Sequence, residues 1–137
     1  ASAFYSGQSL MTATVMATYI TQYNQLDTYV TRDESSIREL MHPDHHAVTN
    51  QSLAEAIVPA GLETRLHYHR VSEEIYHITA GEGLMTLGDE QFAVSKGDTI
   101  RIAPGTRHCI RNTGDTDLVI LCSCAPAYSH EDTVLAE

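Results

Sequence analysis

Three histidines and one carboxylate stand where a single cation could take all four. His67 and His69 are two residues apart, so on a β-strand both point to one face. Glu74 follows after a turn, and a lone His108 opens another strand about forty residues later. Imidazole suits Fe, Ni, Cu and Zn, and with a carboxylate also Mn. Three neutral imidazoles and one carboxylate leave a divalent ion with a local charge of about +1 by simple counting. Such a centre favours a small monoanionic partner, for example a carboxylate, enolate or phenolate. An octahedral ion keeps two open positions, enough for a bidentate substrate or for a substrate and dioxygen together. A tetrahedral zinc uses all four ligands and is closed.

Strands must bring these side chains together, and the sequence supplies them. From Ser52 onward, short Val-, Ile- and Thr-rich runs alternate with Gly, Pro and Asp at intervals of roughly 8–12 residues. The runs are 52–59, 65–70, 74–79, 83–87, 91–94, 99–103, 108–112 and 118–124, with turns at Pro59-Ala60-Gly61, Gly81, Gly88-Asp89, Gly97-Asp98, Pro104-Gly105 and Gly114-Asp115. That pattern predicts an all-β, double-stranded antiparallel β-barrel or sandwich, with no βαβ unit. If the four ligands point inward, period two places Tyr76, Ile78 and Ile110 on the cavity wall. His77 and Arg111 then face outward, and Cys109 opposes His108.

The segments that carry the ligands resemble the cupin superfamily. Its first motif reads G-x5-H-x-H-x3,4-E-x6-G, and Gly61, His67, His69, Glu74 and Gly81 fill every place. Its second reads G-x5-P-x-G-x2-H-x3-N, and Gly97, Gly105, His108 and Asn112 fill it. Ala103 stands where the family usually has Pro, with Pro104 one place later, so the turn is the element in question and not the ligand set. Glu73 fits the shorter spacing, but only Glu74 also gives the step to Gly81. The resemblance covers about residues 50–125. It implies a jelly-roll-like barrel of six to eight strands, usually dimeric. It also implies one divalent transition metal (Fe, Mn, Ni, Cu or Zn) on His67, His69, Glu74 and His108. It does not choose a reaction, because fold and function separate. A metal-dependent, dioxygenase-type oxidoreductase is the leading expectation. A non-redox isomerase or decarboxylase and a non-catalytic sugar- or acid-binding module stand beside it. No catalytic acid, base or nucleophile is assigned; Tyr76 is the one pocket candidate.

Other reactive side chains have plainer readings. His42, His45 and His46 fall around a proline and read as a solvated loop. His130 lies in a polar C-terminal tail. Cys122 and Cys124 share a strand face and read as small buried hydrophobes. Arg65, Arg101 and Arg107 read as solvated surface groups.

Composition bounds the rest. The 137 residues carry 8 basic and 18 acidic side chains, a net charge of −10, which repels nucleic acid and anionic membranes. No apolar run approaches the ~20 residues of a membrane-spanning helix. Three cysteines make no disulfide framework, and with no secretory signal in view the cytoplasm is the expected compartment. The length suits one cupin domain over 34–137 with an N-terminal extension over 1–33. Within the extension, residues 1–15 read as a flexible tail or an expression leader. Residues 16–32, rich in Thr, Tyr and Val, read as outer strand, with one able to cross to a partner in a homodimer. Asp33 to Leu40 fits a short capped helical turn and an extended edge equally well. The expected partner is a small molecule.

Overall fold

The computed structural model describes residues 19–136. The expectation for residues 1–15 lies outside that range. Among the described residues eleven strands form two antiparallel sheets that face each other, more than the six to eight the resemblance implied. The first sheet has the order β1-β2-β3-β10-β5-β8, and the second β11-β4-β9-β6-β7. In chain order the strands are β1 (Thr28–Val30), β2 (Ser36–Met41), β3 (Ser52–Val58), β4 (His67–His69), β5 (Glu73–Ala80) and β6 (Glu82–Leu87). Then come β7 (Glu90–Ser95), β8 (Thr99–Ile102), β9 (His108–Asn112), β10 (Leu118–Ala125) and β11 (Thr133–Leu135). After Tyr19, helix among the described residues is confined to a 3-10 turn, Tyr23–Gln25. The arrangement is the expected jelly-roll, although the two sheets do not close into a continuous barrel.

Period-two alternation builds the core. On β5, Glu74, Tyr76 and Ile78 are buried while Ile75 is exposed. On β10, Leu118, Ile120, Cys122 and Cys124 are buried between the sheets. Ile110 of β9 and Met85 of β6 meet them from the second sheet, both almost fully buried. Each such side chain contributes about 1.5–3 kcal/mol by leaving water.

Two points left open by the sequence are now decided. The stretch from Asp33 is a strand over Ser36–Met41, because β3 and β1 satisfy its backbone on both sides. Cys109 does oppose His108, yet it is buried, since the segment at Glu63 and Thr64 covers that outer face. β1 pairs with β2 of the same chain.

Turn chemistry then sets the site. Ala103-Pro104-Gly105-Thr106 is a tight turn with Thr106 N–H donating to Ala103 O at 3.1 Å and Gly105 at φ +80°. Pro second and a positive-φ Gly third is the type II signature, so the shifted proline still serves. Gly105 N–H also donates to His69 O at 2.7 Å, tying the turn before His108 to β4. At Gly81, φ is +85° and an added Cβ would lie 2.6 Å from Asp117 O, so no other residue fits without moving backbone. Asn112 is structural: its amide donates to Val58 O and Thr116 O and accepts from Gly114 N–H.

Candidate metal centre

The three histidines converge between the sheets. His67 and His108 are register partners across β4 and β9, with ring centroids 4.2 Å apart. His69 lies 5.2 Å from His67 and 5.5 Å from His108 by the same measure. One ring nitrogen from each lies within 4.8 Å of the other two, and all three residues are buried. Among the described residues no other His, Cys, Asp or Glu cluster of this kind occurs.

Hydrogen bonds decide which nitrogen each ring offers. His67 Nδ1 lies 2.8 Å from Arg65 O, and His108 Nδ1 lies 2.9 Å from Thr106 O. A carbonyl only accepts, so each Nδ1 carries the proton. His69 Nδ1 lies 3.0 Å from Thr133 Oγ1, whose own hydroxyl donates to Ser129 O at 2.9 Å. Thr133 therefore accepts, and His69 Nδ1 also carries a proton. All three Nε2 atoms are left to point into the site. Orienting partners of this kind are what metal-ligating imidazoles use.

Glu74 stands beside two of the three histidines. Its Oε1 lies 3.2 Å from His69 Nε2 and 3.4 Å from His108 Nε2. Its Oε2 accepts from Cys124 Sγ at 3.2 Å, which fixes the carboxylate plane. Glu73 points away and pairs on the surface with Arg101, so it is no rival ligand. Burial pushes the Glu74 carboxyl up, but the adjacent His108 and His69 rings outweigh it and hold the group well below the usual carboxylate range. Burial pulls His69 down, yet Glu74 wins and raises it above its ordinary value. Burial and the neighbouring His108 lower His67. A proton shared between His69 and Glu74 thus stands where a cation would. His108 Nε2 is buried and makes no hydrogen bond. An orphaned acceptor among inward lone pairs and a carboxylate is costly unless a cation occupies the gap. The residues fit a metal ion.

The surrounding walls are mostly apolar. Ile37, Ala56, Val58, Ile110 and Ile120 enclose a space of about 50 Å³ beside the histidines. That is room for a few water-sized groups, at roughly 10–15 Å³ each. Tyr76 is on this wall as expected, its ring edge-on to His108 at 5.9 Å. Its hydroxyl has no hydrogen-bond partner among the described residues, unlike a satisfied core tyrosine. Tyr29, Glu39 and Tyr128 line both this cavity and a wider groove of about 720 Å³, so they stand between the two. There Tyr29 donates to Glu39 Oε2 at 2.6 Å.

The sequence match and the solved folds agree with this geometry. Residues 54–124 match the cupin domain family. The chain is a cupin. An uncharacterised protein of Methanocaldococcus jannaschii is 56% identical to this cupin over 117 residues, covering 85% of this chain and 94% of that protein. The oxalate-binding protein of Thermotoga maritima is 38% identical over 64 residues, 47% of this cupin and 53% of that protein. The Streptomyces nucleoside dehydratase Pac13 superposes with a TM-score of 0.72 at 15% identity, covering 87% of this cupin and 91% of that chain. At that identity the likeness concerns the fold alone.

Several side chains lie elsewhere than expected. His42 is buried, not solvated: it accepts Asp44 N–H on Nδ1 and donates from Nε2 to Tyr128 O at 2.7 Å. Both nitrogens are used, so it pins two loops and binds no ion. His46 accepts His42 N–H, and His45 is exposed. His77 is half-buried and Arg111 exposed, as period two predicts. Arg107 is exposed and lies over the Tyr68 ring. Cys122 and Cys124 are buried, but Cys124 also steadies Glu74. Two participants were not foreseen, Asp33 and Thr133. No helix among the described residues is long and apolar enough to cross a membrane.

Proposed function

We propose that this cupin is a small-molecule metalloenzyme of dioxygenase type, holding one Fe or Mn ion on His67, His69, Glu74 and His108. The observation that carries this reading is the cluster of three buried histidines, each with Nε2 freed by a proton spent at Nδ1, two of which stand 3.2 and 3.4 Å from one Glu74 oxygen. A bound redox metal would supply Lewis acidity and dioxygen chemistry. The protein's part is positional. Backbone carbonyls and Thr133 orient the rings, Cys124 orients Glu74, and apolar walls keep bulk water out. Tyr76 offers a hydroxyl to whatever enters. The cavity's size supports a substrate, or a reacting end of one, of only a few heavy atoms.

Two other readings each have an observation behind them. The unpartnered Tyr76 hydroxyl supports non-redox isomerisation or decarboxylation, which needs a proton donor and no oxygen. The oxalate-binding relative supports a binding module for a small organic acid. One experiment separates the three: elemental analysis of protein purified without added metal, then oxygen uptake and anaerobic turnover against small acids, enols and phenols. Stoichiometric Fe or Mn with oxygen uptake supports the proposal, and His108→Ala should lose metal and activity together. Turnover without oxygen, or tight binding with no turnover, refutes it in favour of the other two.

A further inference from the structure

Asp33 comes to the same centre from the turn ahead of β2. That turn is built by Thr31 N–H donating to Ser35 O at 3.1 Å and Glu34 N–H to Thr31 O at 3.0 Å. Within it, Asp33 Oδ1 accepts from Thr31 Oγ1 at 2.5 Å, from Ser35 Oγ at 2.6 Å and from Ser35 N–H at 3.1 Å. Three donors on one oxygen fix the carboxylate plane. The other oxygen, Oδ2, takes no hydrogen bond among the described residues and lies 3.8 Å from His67 Nε2.

Arg65 sets both sides of that gap. Its N–H donates to Asp33 O at 2.8 Å, and its own carbonyl accepts from His67 Nδ1 at 2.8 Å. With its proton on Nδ1, the neutral His67 ring presents a lone pair on Nε2. Two acceptor atoms then face each other at 3.8 Å, and both residues are over nine-tenths buried. No hydrogen bond can form between two acceptors. A cation within reach of both removes the repulsion. Adjacent donors on one octahedral ion stand roughly 3 Å apart, given metal–ligand distances of about 2.0–2.2 Å. The separations of 3.2, 3.4 and 3.8 Å around His69, His108 and His67 exceed this, and among the described residues the group whose donor atoms all lie within 4.8 Å of one another is the three histidines alone, so both carboxylates must draw inward to share the ion.

We propose that Asp33 is a fifth protein ligand of the metal centre, donating Oδ2 beside His67. The proposal rests on the metal-binding reading above. It changes the chemistry expected there. A second carboxylate makes the centre of a divalent ion neutral by simple counting, so the pull on an anionic substrate weakens. Five protein donors leave an octahedral ion one position, which takes one donor atom of a small molecule.

The test uses Co²⁺ and the full chain, with Asp33→Asn, Asp33→Glu and His108→Ala compared to wild type. Affinity is read by competition with a chelator, and coordination by the visible d–d absorption of the bound cobalt. Circular dichroism confirms that each variant is folded. Asp33→Asn should bind one cobalt about 10- to 100-fold more weakly. Its d–d bands should shift and gain intensity as coordination number falls, and Asp33→Glu should recover part of both changes. Unchanged bands in Asp33→Asn overturn the proposal, including the case where affinity falls through lost charge alone. If Asp33→Asn does not fold, Asp33→Ser takes its place, and cobalt bands identical to wild type in that variant overturn the proposal as well. Wild-type protein that binds no cobalt overturns the metal reading itself, a failure distinct from one confined to Asp33.

Discussion

Replacing Thr133 by Val should damage the metal centre without touching a ligand. Valine keeps the shape of threonine but cannot accept the proton on His69 Nδ1. The ring is 4% exposed, so no solvent replaces the lost acceptor. A buried N–H without a partner costs about 1–3 kcal/mol. For a domain of this size that lowers the melting temperature of the metal-free protein by roughly 3–10 °C. Alternatively the ring changes tautomer and places its proton on Nε2, facing Glu74 Oε1, where metal must bind. Either route penalises binding, and loss of such an orienting partner typically weakens metal affinity about 10- to 100-fold. Chelator competition measures the affinity, and Thr133→Ser, which keeps the hydroxyl, should restore most of it. Wild-type affinity in Thr133→Val would refute the assignment of Nε2 as the ligand atom of His69.

Two further outcomes follow from the same geometry. Metal uptake should release on the order of one proton near neutrality, because Glu74 raises His69 above its ordinary 6.5 and that proton must leave. Affinity should therefore fall about tenfold per pH unit below the raised value; calorimetry in buffers of different ionisation enthalpy that shows no proton release would contradict this. The metal-free fold gains from Glu74 above the ordinary carboxylate range and loses that gain only when acid reaches its depressed value. The His69 contribution runs the other way: it is full below 6.5 and is lost as pH rises through the raised value, so chemical denaturation should show it declining on the alkaline side. Tyr76→Phe should leave stability within about 0.5 kcal/mol, since its hydroxyl satisfies no partner, yet change substrate affinity or turnover; a large stability loss with unchanged kinetics would make Tyr76 a core residue only.

The four proposed ligands were legible because alternation along a strand is a strong local rule. His67 and His69 share a face whatever the rest of the chain does, and Glu74, Tyr76 and Ile78 follow the same rule on β5. The Gly and Pro signals marked the turns for the same reason. Asp33 was not legible, because its place depends on Arg65, more than thirty residues on, holding its carbonyl. Its local signal, Asp-Glu-Ser-Ser, fits a helix start and a tight turn alike, and only pairing with β3 decides for strand. Thr133 lies on a three-residue strand inside a polar tail, too short for any periodicity to show. His42 misled for a related reason. A Pro-Asp loop reads as solvated, but the loop at Tyr128 folds over it and buries its ring.

The central claim is that His67, His69, Glu74 and His108 jointly hold one cation. Anomalous X-ray diffraction at the absorption edge of the metal that copurifies tests it most directly. The predicted result is one peak, about 2.0–2.3 Å from the three Nε2 atoms and from Glu74 Oε1. No peak between those atoms in metal-loaded crystals, or a peak elsewhere with the four side chains free, would contradict it.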